Sequence, residues 1–193
     1  MTLATKITLI RIVIIPFMAA SFLINLSWSP YVTTALFILA ASTDWLDGYV
    51  ARKQNTVTSI GKFLDPIADK ILVVVALLLI IENGNGYEGG IIPAPWGSIA
   101  VIIIIGREFM VAALRQIAAG NGCIIAADKL GKLKTVTQDI AIPFMFMLPV
   151  LVTLWEGFTV VTYAIFAISV ILTIWSGINY IVVNINVFKS ESK

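Results

Sequence analysis

Residues 62–82 read KFLDPIADKILVVVALLLIIE, and their order decides the fold. Lys62, Asp65, Asp69 and Lys70 crowd the first nine positions, whereas the eleven from Ile71 to Ile81 hold no polar side chain. As a helix this stretch rises about 30 Å, the thickness of bilayer hydrocarbon. A segment charged at one end and apolar along the rest fits a helix that starts at a membrane surface and then runs through lipid, where only a helix or a closed barrel satisfies its own backbone.

Working outward, similar apolar stretches recur, so that spans are predicted at 7–27, 31–52, 62–82, 97–118, 133–154 and 157–186. The last is long enough to tilt or to project from the membrane. Ser27, Ser29 and Pro30, the run from Asn83 to Gly86 with Pro93 and Pro95, and Gly120 to Gly122 mark breaks. Composition agrees: of 193 residues, 59% are hydrophobic and 12% charged, against roughly 45–50% and about 25% in soluble domains. That excludes disorder and argues against a soluble enzyme. The fold class expected is an all-α integral membrane protein with six transmembrane helices, and residues 1–193, without an internal repeat or low-complexity run, read as a single membrane-embedded domain.

The beginning of the chain imitates a secretory signal, with Lys6 and Arg11, an apolar run, then Ala19, Ala20 and Ser21. Apolar residues resume at once with Phe22, Leu23 and Ile24, so the segment is expected to stay as the first span. Cys123 is the only cysteine and there is no histidine, so the usual zinc ligands are missing and a metal would be held by oxygen. The net charge of +2, from 13 basic and 11 acidic residues, is too small to suggest nucleic acid.

Where the charges fall is more informative. The loops near 28, at 83–96 and at 155–156 contain Glu82, Glu88 and Glu156 but no Lys or Arg. The opposite side collects Lys6, Arg52, Lys53, Lys62, Arg115, Lys129, Lys132, Lys134, Lys189 and Lys193. Cytoplasmic flanks carry the excess of positive residues, so both termini are expected in the cytoplasm. Trp28, Trp96 and Trp155 fall at the outer boundary, where indole rings anchor at the interface.

At the cytoplasmic ends of spans two and three stand four aspartates. Asp44 and Asp47 are three apart, Asp65 and Asp69 four apart, so each pair shares a helix face, and a short connection folds the pairs together. An aspartate at the centre of a span costs about 2.5 to 3.5 kcal/mol, less near the interface, and four together repel one another. Either Lys62, Lys70 and Arg52 compensate them in an ion-pair network, or a hard cation such as Mg²⁺ or Mn²⁺ takes this all-oxygen ligand set. Gly48, Ala51 and Gly61 either let a bulky ligand approach the backbone or let helices pack closely. Arg52 either meets a phosphate with its fork of donors or anchors a helix end among headgroups.

The pattern Asp44-x-x-Asp47-Gly48-x-x-Ala51-Arg52, eight residues, Gly61-x-x-x-Asp65-x-x-x-Asp69 resembles, without departure, the signature of the CDP-alcohol phosphotransferases, membrane enzymes of phospholipid synthesis. The resemblance implies a six-helix core, usually dimeric, with an active site open to the cytoplasmic leaflet. It implies that an alcohol attacks the β-phosphorus of a CDP-linked lipid and that CMP departs. Two divalent cations, Mg²⁺ or Mn²⁺, would be held by Asp44, Asp47 and Asp65 with Asp69 in reach. Asp69 would be the catalytic general base, Gly48, Ala51, Arg52, Gly61 and Thr8 would face the CDP-lipid, and the diacylglycerol tails would stay among membrane lipids.

The acceptor is read from other cations. Arg107 lies within span four, where an isolated charge marks either a site or, with Glu108 beside it, an ion pair. Arg115 follows, then Lys129, Lys132 and Lys134 at the start of span five, while Arg11 and Thr8 approach from span one. These lysines either attract anionic lipid and set topology or bind a phosphorylated acceptor. Leu130 to Thr135, Thr8 to Arg11 and Arg107-Glu108-Phe109 look like the corresponding stretches of the bacterial phosphatidylglycerophosphate synthases within the family. That likeness implies CDP-diacylglycerol as donor, sn-glycerol 3-phosphate as acceptor, a homodimer, and the bacterial cytoplasmic membrane as location. The alternatives are a relative that uses inositol phosphate, serine or phosphatidylglycerol, and a small cation transporter. Against transport, the acidic residues of the spans gather at one face and the outer halves of spans one to three are almost wholly apolar. Asp139 is placed to pair with a basic residue of the mouth, and Ser176, Asn179 and Tyr180 either line the cavity or hydrogen-bond between helices.

Overall fold

The computed structural model describes residues 3–54, 59–82, 90–120 and 129–184, with side chains from residue 6 onward except at 44–54 and 59–66. Among the described residues six helices follow one another: α1 (Leu3–Leu23), α2 (Ser29–Gln54), α3 (Ser59–Ile81), α4 (Trp96–Gly120), α5 (Lys129–Leu154) and α6 (Phe158–Val183). Among the described residues there is no strand. Among the described residues four stretches, Lys6–Leu23 of α1, Trp96–Gly120, Lys129–Leu154 and Phe158–Val183, are long and apolar enough to cross a membrane. The aspartate signature lies on the other two helices, α2 and α3.

Helix boundaries have local causes. α1 stops at Leu23, short of the expected residue 27, because Asn25 takes a left-handed backbone with φ of 55°. The chain then turns, the Leu26 N–H donates to the Ser29 hydroxyl at 2.9 Å, and Pro30 begins α2 where a missing N–H is harmless. α6 ends at Val183 rather than 186. There Asn184, at φ −107° and ψ 16°, leaves helical geometry, and both its backbone N–H and its side-chain amide donate to the Tyr180 carbonyl. Pro16, Pro143 and Pro149 lie inside helices, which neighbouring helices tolerate in lipid by re-satisfying freed carbonyls.

Packing sorts the bundle lengthwise. α5 and α6 make the most extensive contact, and α1 lies against α2 and α3, the two signature helices. The buried face of α6 is mostly small or hydroxyl-bearing: Thr162, Phe166, Ser169, Thr173, Ser176, Gly177 and Tyr180. Ser169, Thr173 and Ser176 donate to carbonyls of their own helix, so they fill little space and leave no donor unmet. Away from the signature ends of α2 and α3, Phe22, Phe37 and Phe146 form the centre of an apolar core, with ring centroids 5.6 Å apart for Phe22 and Phe146 and 6.2 Å for Phe37 and Phe146. Large apolar side chains such as Ile102, Val160, Ile171 and Trp175 point outward, as a lipid-facing surface requires. Trp28, Trp96 and Trp155 are exposed at the end where α1 meets α2, α3 precedes α4 and α5 meets α6.

Candidate functional site

Asp44, Asp47, Gly48, Ala51 and Arg52 lie on the last turns of α2, and Gly61 and Asp65 on the first turns of α3, but their side chains lie outside the described residues. Asp69, one turn beyond Asp65 on α3, is described and exposed. Among the described residues no three metal-ligating side chains gather, since three of the four signature aspartates fall outside them. The fit of a metal therefore rests on donor chemistry: four carboxylates with no histidine in the chain suit hard cations and not soft ones.

Asp69 opens into a cavity of about 1230 Å³ between α3, α4 and α5. α3 contributes Asp69 and Lys70, α4 contributes Arg107, Glu108, Phe109 and Arg115, and α5 contributes Gly131, Lys132 and Thr135. Among the described residues, four cationic side chains thus line the cavity against two carboxylates. One of those carboxylates is already engaged. The Glu108 Oε1 accepts from Arg107 Nη1 at 3.0 Å and from Lys134 Nζ at 2.7 Å. The remaining charge excess is positive and faces Asp69 across a space wide enough for a small phosphorylated molecule.

Glu108 ties three helices. Besides Arg107 and Lys134, Lys70 donates its Nζ to the Glu108 backbone carbonyl at 3.3 Å and lies over the Phe109 ring, 5.8 Å from its centroid. Lys134 is 2% exposed, points to Glu108 and does not line the cavity. Arg107 lines it, yet its Nε is buried with no hydrogen-bond partner among the described residues. Gly131 makes the room: a Cβ there would stand 3.4 Å from Arg107 Nη2.

The other predicted residues are spread around this centre. Arg115 lines the cavity and donates its Nε to the Tyr180 hydroxyl at 3.1 Å, which makes Tyr180 an interhelical partner and not a lining residue. Ser176 donates to the Thr173 carbonyl within α6. Lys132 lines the cavity, whereas Lys129 is exposed outside it. Arg11, 1% exposed, donates its Nε to Thr43 Oγ1 at 3.1 Å, the residue before Asp44. Thr8, fully buried, precedes Arg11 by one turn on the same side of α1. The structure therefore brings Asp69, Arg107, Arg115 and Lys132 together, sets Arg11 and Thr8 inside the bundle, and leaves Lys129 apart.

Two residues carry more than their sequence reading assigned. Lys70 reads there as a countercharge to the aspartates, but it reaches α4 and lines the cavity. Glu108 reads as a partner of Arg107 and turns out to hold Lys134 as well. An intramembrane cation directly after Asp69 was the available signal for Lys70. None marks which helix stands beside Glu108.

Comparison with known proteins accounts for most of the chain. The family model described as CDP-alcohol phosphatidyltransferase matches residues 1–175. A Haemophilus influenzae protein named CDP-diacylglycerol–glycerol-3-phosphate 3-phosphatidyltransferase is 42% identical over 138 residues, 70% of this chain and 70% of its own. Proteins of the same name from Escherichia coli and Salmonella choleraesuis are each 36% identical over 147 residues, 75% of this chain and 76% of theirs. With the signature intact on α2 and α3 and the match running through all but the last turns of α6, the chain belongs to the CDP-alcohol phosphatidyltransferase family.

Proposed function

We propose that this protein transfers a phosphatidyl group from CDP-diacylglycerol to sn-glycerol 3-phosphate, giving phosphatidylglycerophosphate and CMP. The observation that carries this reading is the shared cavity, where Asp69 stands with Lys70, Arg107, Arg115 and Lys132. A dianionic phosphate monoester matches that excess of positive charge, while an uncharged acceptor such as serine leaves it uncompensated. The names of the relatives support the same donor and acceptor.

In this reading Asp69 takes the proton of the acceptor hydroxyl as its oxygen bonds to the β-phosphorus and the bond to CMP breaks. Arg107, Arg115 and Lys132 hold the acceptor phosphate in line with that attack, Lys134 acts through Glu108, and Arg11 and Lys129, outside the cavity, add only to the positive field. Asp44, Asp47, Asp65 and Asp69 form the ligand set for two Mg²⁺ or Mn²⁺ ions, which when bound neutralise the diphosphate and the departing CMP. Gly48, Ala51 and Gly61 leave space for the cytidine, Arg52 contacts phosphate and Thr8 supports the CDP-lipid side. The whole chain acts as a single catalytic domain of six spans, α2 and α3 included, in the bacterial cytoplasmic membrane. Both termini and the site face the cytoplasm, and the working unit is a homodimer.

An acceptor panel tests the proposal. Purified protein with CDP-diacylglycerol and Mg²⁺ in detergent micelles is given glycerol 3-phosphate, inositol phosphate, serine or phosphatidylglycerol, and CMP is measured. Release with glycerol 3-phosphate, abolished by chelation, is expected; release with serine alone overturns the acceptor assignment. A reporter fused after Lys193 that proves external overturns the orientation, and a purely monomeric protein in native mass spectrometry removes the dimer.

A further inference from the structure

Among the described residues α6 contributes nothing to the cavity lining, yet it touches both arginines that do line it. Arg107 and Arg115 are two helical turns apart on α4, so they project from the same side. Gly177 stands opposite the first: a Cβ there would lie 3.0 Å from Arg107 Cγ, closer than ordinary packing allows. Tyr180, one turn further along α6, stands opposite the second. Its hydroxyl accepts from Arg115 Nε at 3.1 Å, and its ring centroid is 5.5 Å from the guanidinium carbon. Tyr180 is itself 2% exposed and packs with Val111 and Leu114, so it is a fixed post.

Resting on the acceptor site proposed above, we infer that Gly177 and Tyr180 are positioning residues that set acceptor affinity by fixing Arg107 and Arg115 from behind. An arginine side chain on an exposed helix face samples many rotamers, and ordering it on binding opposes affinity. With Nε held by Tyr180, the Arg115 fork is already oriented and both its Nη groups remain for a phosphate monoester. Gly177 does the corresponding work by omission, because even a methyl group there would require the Arg107 stem to shift by a few tenths of an ångström.

Tyr180→Phe keeps the ring and removes only the hydroxyl. In the full-length protein in micelles it is expected to raise the KM for glycerol 3-phosphate roughly three- to tenfold. The KM for CDP-diacylglycerol and kcat should stay within about twofold, and the melting temperature should not move. In an Arg115→Ala background the same substitution is expected to add nothing, since residues that act through one another are not additive. Gly177→Ala should raise the same KM and no other. The inference is overturned if Tyr180→Phe leaves that KM unchanged, moves both KM values together, or keeps its full effect without Arg115. If Arg115→Ala itself leaves the glycerol 3-phosphate KM unchanged, the acceptor-site reading fails and this inference with it.

Discussion

Around Phe146 the helices meet through aromatic rings and branched aliphatic side chains; around Glu108 the same bundle meets through ammonium, guanidinium and carboxylate groups. In the half near Phe146 the buried polar groups among the described residues are hydroxyls: Ser21 and Thr33 hydrogen-bond to each other at 2.8 Å, Ser29 and Thr34 lie near Thr33 on α2, and Thr162 lies on α6. In the half near Glu108, Arg11, Lys134 and Gln138 are buried, and Gln138 Oε1 has no partner among the described residues. Buried ion pairs contribute little net stability, because desolvation consumes most of the attraction between the charges. The half near Phe146 is held by apolar packing, whereas the half near Glu108 spends its buried positions on charged groups beside the proposed site.

The largest expected effect breaks the comparison at the exposed carboxylate that opens into the cavity. Asp69→Asn should lower CMP release by roughly 10²- to 10⁴-fold, with CDP-lipid binding and melting temperature retained. Full turnover by this variant would remove Asp69 from the base role. Next come two substitutions of similar thermodynamic size and different meaning. Glu108→Ala strands the buried Lys134 ammonium and should destabilise by about 3 to 5 kcal/mol. Phe146→Ala opens a cavity and should destabilise by about 3 kcal/mol. Thermal melting reads both, but only Glu108→Ala should also raise the KM for glycerol 3-phosphate. If Phe146→Ala shifts that KM equally in the folded fraction, the two halves are not functionally separate. The smallest effects distinguish neighbouring lysines: Lys132→Ala should raise the acceptor KM severalfold, whereas Lys129→Ala, outside the cavity, should change it by less than about twofold.

Helix positions were legible because apolar runs of membrane length leave few alternatives. The helix expected at 97–118 is Trp96–Gly120, and the helix expected at 62–82 is Ser59–Ile81. The aspartate signature was legible because each pair sits at helical spacing on one segment. Differences among the basic residues were partly hidden. Lys132 and Lys134 look alike in a lysine-rich run, yet two residues turn a helix by about 200°, which sends one into the cavity and the other to Glu108. Periodicity contains that distinction, but it does not say which neighbour each face meets. Lys70, Gly131 and Gly177 depend wholly on that neighbour: each acquires its role from α4, a helix remote in sequence from all three.

The claim at the centre is that the cation-lined cavity beside Asp69 recognises the acceptor phosphate and not the nucleotide lipid. Arg107→Lys tests it most directly, since it keeps the charge beside Glu108 and removes the planar fork. Steady-state CMP release should show the KM for glycerol 3-phosphate raised by about tenfold or more while that for CDP-diacylglycerol moves by less than about twofold. A rise confined to the CDP-diacylglycerol KM, or no change in either, would contradict the account.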